Sequence, residues 1–102
     1  MHRDIKLIRS ILTKLEESTE GVFLNSFDFE DFTNEEVEYH FILLHQAKMI
    51  DTIHGRPTTL TWDGYEYLDI IRIPFIRDVI DRNGLLPFDV LKEIAMDRIG
   101  IS

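Results

Sequence analysis

The chain has 102 residues, 44% of them hydrophobic and 29% charged, with no cysteine and a net charge of −8. That describes one globular domain over residues 1–102 and excludes disulfides, thiolate nucleophiles and thiolate metal sites. The acidic balance also tells against a duplex binder unless Lys and Arg are concentrated locally, because phosphate contacts supply most of such an affinity.

The opening "MHRDIKLIRS" alternates charge with apolar residues instead of forming a signal-peptide core, and no later run reaches membrane-spanning length. A cytoplasmic address is expected. Residues 4–17 predict an amphipathic helix: Ile5, Leu7, Ile8, Ile11, Leu12 and Leu15 share one arc, with Arg3, Lys6, Arg9, Thr13 and Lys14 outside it. Gly21 marks the exit from this helix. Arg3, Lys6 and Arg9 read either as a phosphate clamp or as an ordinary solvated face. In "VFLNSFDFEDF" the alternation of Phe27 and Phe29 with Asp28 and Glu30 predicts a short half-buried strand. Asp28, Glu30 and Asp31 lack the loop pattern of a calcium site and read as a solvated acidic edge.

Thr33-Asn34-Glu35-Glu36 has the spacing of a capping box, in which the Thr hydroxyl and the Glu carboxylate each satisfy an amide left free at a helix start. One unbroken helix is predicted over residues 33–48. Val37, His40, Phe41, Leu44 and Ala47 form its inward stripe, and His40 there reads as a hydrogen-bonded core histidine. The outward arc carries Glu35, Glu38, Tyr39, Ile42, His45, Gln46 and Met49, without a Lys or Arg.

"MIDTI" and "TTLT" predict two strands around His54-Gly55-Arg56-Pro57. Thr61 can cap the next helix; Trp62, in its first turn, is expected to cover the end of the core, and Gly64 to admit another element closely. Leu68 and Ile71 continue the buried line. Pro74 breaks that helix, a short helix over residues 75–82 ends at Asn83-Gly84, and Pro87 opens a last helix with Phe88, Leu91, Ile94 and Ala95 at helical spacing.

Enzyme chemistry has little to stand on. His2, His40, His45 and His54 never pair at the i, i+4 spacing of two metal ligands on one helix face. There is no glycine-rich phosphate loop, and Ser10, Ser18 and Ser26 lack a nucleophile-elbow context. The expectation is a non-enzymatic protein with no catalytic residue, metal, cofactor or small-molecule substrate.

The element order helix, strand, helix, hairpin, helix is that of an α+β winged-helix domain. "RDIKLIRSILTKLEE", "EVEYHFILLHQAKMI", "LTWDGYEYLDIIR" and "LPFDVLKEIA" together resemble a family of short phage and prophage proteins catalogued as a domain of unknown function. The most specific stretch is Leu60-Thr61-Trp62-Asp63-Gly64 with Leu68 and Asp69. The resemblance implies a small accessory or regulatory protein in a bacterial host cell, with DNA binding suggested by analogy to winged-helix repressors.

A helix-turn-helix needs two helices before the hairpin. Here there is room only for the one opened by Thr33, so the usual second helix is reduced or absent. Two function classes follow. In the first, the module recognises a protein, or a second copy of itself, through Tyr39, Ile42 and Met49 as anchors, with Glu35, Glu38, His45 and Gln46 around them. In the alternative it binds duplex DNA through Arg56 and His54 of the wing and Arg3, Lys6 and Arg9 of the first helix. The first is favoured, because a DNA reader would present Arg, Asn or Gln where this helix presents carboxylates and apolar groups.

Overall fold

A computed structural model of the chain describes residues 3–18, 24–84 and 86–99. Its elements are α1 (Ile5–Glu17), a 3-10 turn (Ser26–Asp28), α2 (Asn34–Gln46), β1 (Ile50–Ile53), β2 (Arg56–Leu60), α3 (Trp62–Ile71), α4 (Pro74–Asn83) and α5 (Phe88–Ile99). Among the described residues this is an α+β chain of five α-helices and one two-stranded antiparallel sheet, compatible with a winged-helix-like arrangement. The chain divides into two compact units, Met1–Tyr65 and Glu66–Ser102. No helix among the described residues is long and apolar enough to cross a membrane.

In the first unit, α1 starts at Asp4, whose Oδ1 accepts the amides of Lys6 (2.9 Å) and Leu7 (3.2 Å) and so satisfies donors that the helix itself cannot. Leu7, Ile8, Ile11, Leu12 and Leu15 are buried, as their spacing predicts; Ile5 is half-buried at the helix start. Each such side chain contributes roughly 1.5–3 kcal/mol by leaving water. The helix packs on β2 and α2. Gly21, expected to mark its exit, lies outside the described residues.

The strand expected around Phe27 and Phe29 does not form. The Asn25 amide instead donates to Asp28 Oδ2 (3.0 Å) and the Asp28 amide to Asn25 O (3.1 Å), closing a 3-10 turn. Local bonding by Asn and Asp competes with extended structure in this way. Phe27 is left exposed. Phe29 is buried edge-on to Phe41 at 6.4 Å, with Lys14 Nζ 4.8 Å from its ring centre. Among the described residues between α1 and α2, 24–33 hold this turn and no α-helix.

The capping box at Thr33 is complete: the Glu36 amide donates to Thr33 Oγ1 (3.1 Å), and the Thr33 amide to Glu36 Oε1 (3.2 Å). Val37, His40, Phe41 and Leu44 are buried, whereas Ala47, expected among them, is exposed at the C-cap. The helix ends two residues before the predicted Lys48. There the backbone turns left-handed (φ 62°), the Lys48 amide donates to His45 O (3.0 Å) and the Met49 amide to Leu44 O (2.9 Å). Those two bonds are a Schellman motif, which brings the residue after the left-handed one back towards the core.

The hairpin turns on His54 and Gly55, both at positive φ (53° and 79°), as a two-residue turn matched to strand twist requires. Arg56 and Pro57, expected in a longer turn, therefore begin β2. Ile50 pairs with Leu60, Asp51 with Thr59, Thr52 with Pro57 and Ile53 with Arg56, so Thr58 is the extra residue of a bulge. On the other side of β2, Pro57 O accepts the Leu24 amide (3.3 Å).

In the second unit, Tyr67, Leu68 and Ile71 of α3 are buried, as are Ile76 and Ile80 of α4 and Leu91 and Ala95 of α5. Pro74 opens α4, and Gly84 (φ 78°) closes it by donating its amide to Ile80 O (2.8 Å). Pro87 O accepts the amides of Val90 and Leu91, both at 3.1 Å, at the start of α5. Tyr67 meets Phe88 edge-on at 5.2 Å, and Lys92 pairs with Glu66 at 3.3 Å. Helices α4 and α5 pack on each other.

Candidate functional site

Successive turns of α2 place Glu38 and Tyr39 one turn before Ile42, and His45 and Gln46 one turn after it, as neighbours on one helix surface. Ile42 is 57% exposed at the centre of that group. Glu35, Glu38, His45 and Gln46 are exposed, and Tyr39 is half-buried with its ring edge-on to His40 at 5.5 Å. Neither the Glu35 nor the Glu38 carboxylate makes a hydrogen bond or ion pair among the described residues. The helix itself contains no Lys or Arg. The surface is therefore an apolar side chain bordered by uncompensated carboxylate and by neutral polar groups.

Met49 does not belong to it. The left-handed Lys48 carries Met49 off the helix and inward, where it is 7% exposed. The assignment of Met49 as an outward anchor fails because it extends a helical period past the point where the helix has ended.

The opposite face of α2 is closed by His40, 1% exposed. Its Nε2 accepts the backbone amide of Asp4 (2.8 Å), and its Nδ1 lies 2.7 Å from Glu36 O. A carbonyl only accepts and an amide only donates, so Nδ1 carries the ring proton and the imidazole is neutral. His40 is thus the hydrogen-bonded core histidine expected, and its contact fastens α2 to the start of α1.

Trp62 is a second correction. Expected at the end of the core, it is 80% exposed. The buried positions of α3 are Gly64, Tyr67, Leu68 and Ile71, and Trp62 lies two residues before that stripe begins, about 200° round the helix from Gly64. The corner has no room for an indole because backbone meets backbone there. A Cβ on Gly64 would sit 2.0 Å from Met49 O, so the close approach expected of Gly64 is real. Thr61 completes the junction: its Oγ1 donates to Lys48 O (2.6 Å) and accepts the Gly64 amide (3.0 Å), and its own amide donates to Met49 O (3.1 Å). Trp62 and Phe27, the latter 70% exposed, are surface candidates that the sequence reading missed. For Trp62 the signal was present: helical spacing counted from Gly64 turns it outward.

Of the alternative set, Arg3 and Lys6 are exposed beside a half-buried Arg9 on α1. His54 is exposed in the turn, and the exposed Arg56 donates to Asn25 Oδ1. No group of three or more His, Cys, Asp or Glu among the described residues is placed to hold a metal ion.

Fold and surface together define a small α+β protein that carries a two-stranded hairpin and leaves an acidic, apolar-centred helix face uncovered. The chain belongs to the family described as "Hypothetical protein (DUF2513)", whose model matches residues 2–76. The match takes in the whole candidate surface and the Trp62 corner, and stops within the first turn of α4. The chain is also similar to an "Uncharacterized protein" of Haemophilus influenzae, 37% identical over 110 aligned residues that cover 93% of this chain and 92% of that protein. No solved structure matches it.

Proposed function

We propose that the protein is a non-enzymatic winged-helix binding module that acts through protein–protein contacts made by the outward face of α2. The observation that carries this reading is Ile42: a helix already held by its buried inner stripe exposes a large apolar side chain among Glu35, Glu38, His45 and Gln46. Apolar anchors within a polar surround are how protein interfaces combine affinity with orientation. In winged-helix terms, α2 occupies the place of the recognition helix and the hairpin that of the wing. The setting, an accessory or regulatory protein of a phage or prophage working in the bacterial cytoplasm, rests on the sequence resemblance.

The DNA-binding alternative draws on Arg56, His54, Arg3, Lys6 and Arg9. It is weakened by the net charge of −8 and by the bond that engages Arg56 with Asn25. The test is capture from bacterial lysate with the wild-type chain and with Ile42→Asp, alongside sedimentation to detect self-association. Proteins or a dimer lost on Ile42→Asp, with the melting temperature unchanged, support the reading. Nanomolar binding to one duplex sequence, abolished by Arg56→Glu and untouched by Ile42→Asp, would put the alternative in its place.

A further inference from the structure

We infer that the occupant of this surface is a basic segment of another protein that also carries an apolar side chain, and that it is held at two anchors, Ile42 on α2 and Trp62 at the start of α3. This rests on the protein-binding reading and adds the chemistry of the partner. Both anchors lie in the first unit, and the end of α2 is fastened to the start of α3 through Thr61, which bonds the carbonyls of Lys48 and Met49. The clash that any side chain at Gly64 would make with Met49 O shows how little the two backbones can slide. The indole is therefore mounted on a fixed base while its ring stands in water. A large aromatic group carried on a backbone that needs no reordering is the kind of side chain from which interfaces draw most affinity.

Charge selects the occupant. Over residues 34–65 the carboxylates of Glu35, Glu36, Glu38, Asp51 and Asp63 outnumber the cations Lys48 and Arg56, and Arg56 is already bonded to Asn25. The carboxylates of Glu38, one turn before Ile42, and of Glu35, a further turn back on the same face, have no partner among the described residues, and Asp63, next to Trp62 in sequence, is exposed. A Lys- or Arg-bearing segment would neutralise these carboxylates, and a cation over the indole face adds its own attraction. A second copy of the chain brings another −8 and is the poorer occupant.

Trp62 is the only tryptophan, so its emission reports directly on whether it becomes covered. The probe is an amphipathic helical peptide of lysine and leucine, with a glutamate–leucine peptide as its counterpart. The lysine peptide should bind saturably and shift Trp62 emission to the blue, and the glutamate peptide should not. Glu35→Lys combined with Glu38→Lys should weaken binding at least about tenfold, as expected when anchoring charges are reversed. Asp78→Lys with Asp81→Lys, two exposed positions on α4 in the second unit, makes the same change in net charge and should weaken it less than about threefold, the part due to net charge alone. Ile42→Asp should abolish the shift, with Ile42→Ala as the second variant if Asp perturbs folding by circular dichroism.

Equal weakening by the two charge reversals would show general attraction to an acidic protein and overturn the inference, as would binding that leaves Trp62 emission unchanged. Failure of the lysine peptide, with Ile42→Asp still stripping captured proteins, would sink the basic partner and leave the protein-binding reading standing. If Ile42→Asp changes neither measurement, both fall.

Discussion

Helices α1 and α2 are each 13 residues long and each capped by a side chain that accepts amides of the first turn, yet they divide their residues differently. In α1 every buried side chain is aliphatic, and the chemistry of its two faces separates cleanly. In α2 an imidazole is buried and an isoleucine is exposed. Packing alone accounts for α1. It does not account for α2, whose inner polar residue is explained by the amide it accepts from Asp4 and whose outer apolar residue has no counterpart within the described structure. The departure from plain amphipathicity is what the proposed binding role of the helix rests on.

Four measurements sharpen or break that contrast. The largest effect belongs to α1: Ile11→Ala, at a fully buried site, should lower stability by about 2–5 kcal/mol in urea or thermal unfolding, because the removed atoms leave a cavity. A loss well under that range would mean that α1 can collapse around the gap and is not the anchor of the first unit. Next is His40→Leu, expected to remove about 1–3 kcal/mol by leaving the Asp4 amide without its acceptor. Were this variant as stable as wild type, the histidine would be dispensable to the joint between the two helices. Thr33→Ala should follow at about 1 kcal/mol, the usual contribution of an N-cap hydroxyl; amide exchange at Glu36 is the local check. The smallest effect is expected on the outer surface, where Ile42→Asp and Trp62→Ala should each stay within about 0.5 kcal/mol of wild type. Unfolding by either one would move that residue into the core and erase the distinction between the two faces of the molecule.

Much of this was legible in the sequence wherever one local period governs several turns. The buried stripe of α1, the capping box at Thr33, the four inward residues of α2 and the caps around α4 follow from spacing and cap chemistry alone. The failures sit at element ends and in turns. Met49 was misplaced because a non-glycine residue, Lys48, adopts the left-handed conformation, which spacing does not reveal. Trp62 was misplaced because a large apolar residue in a first turn looks like a core plug, while the core at that corner is filled by main chain. The Phe27 strand was lost to two hydrogen bonds between Asn25 and Asp28. On the candidate surface, helical period supplied Glu35, Glu38, Ile42, His45 and Gln46 as exposed residues of α2, and the same period counted from Gly64 instead of from the cap would have turned Trp62 outward.

Pro57 has a consequence for behaviour at high concentration. In a strand the N–H and C=O of one residue point to the same side, and Pro57 O points away from β1, towards Leu24. Its nitrogen faces that way too and has no hydrogen to give. The outer border of the hairpin thus lacks a donor just where an incoming strand would begin to pair, and Leu24 already occupies the acceptor beside it. A two-stranded sheet would otherwise be an invitation to edge-to-edge polymerisation; this one is blunted, so that fibril growth is discouraged along β2.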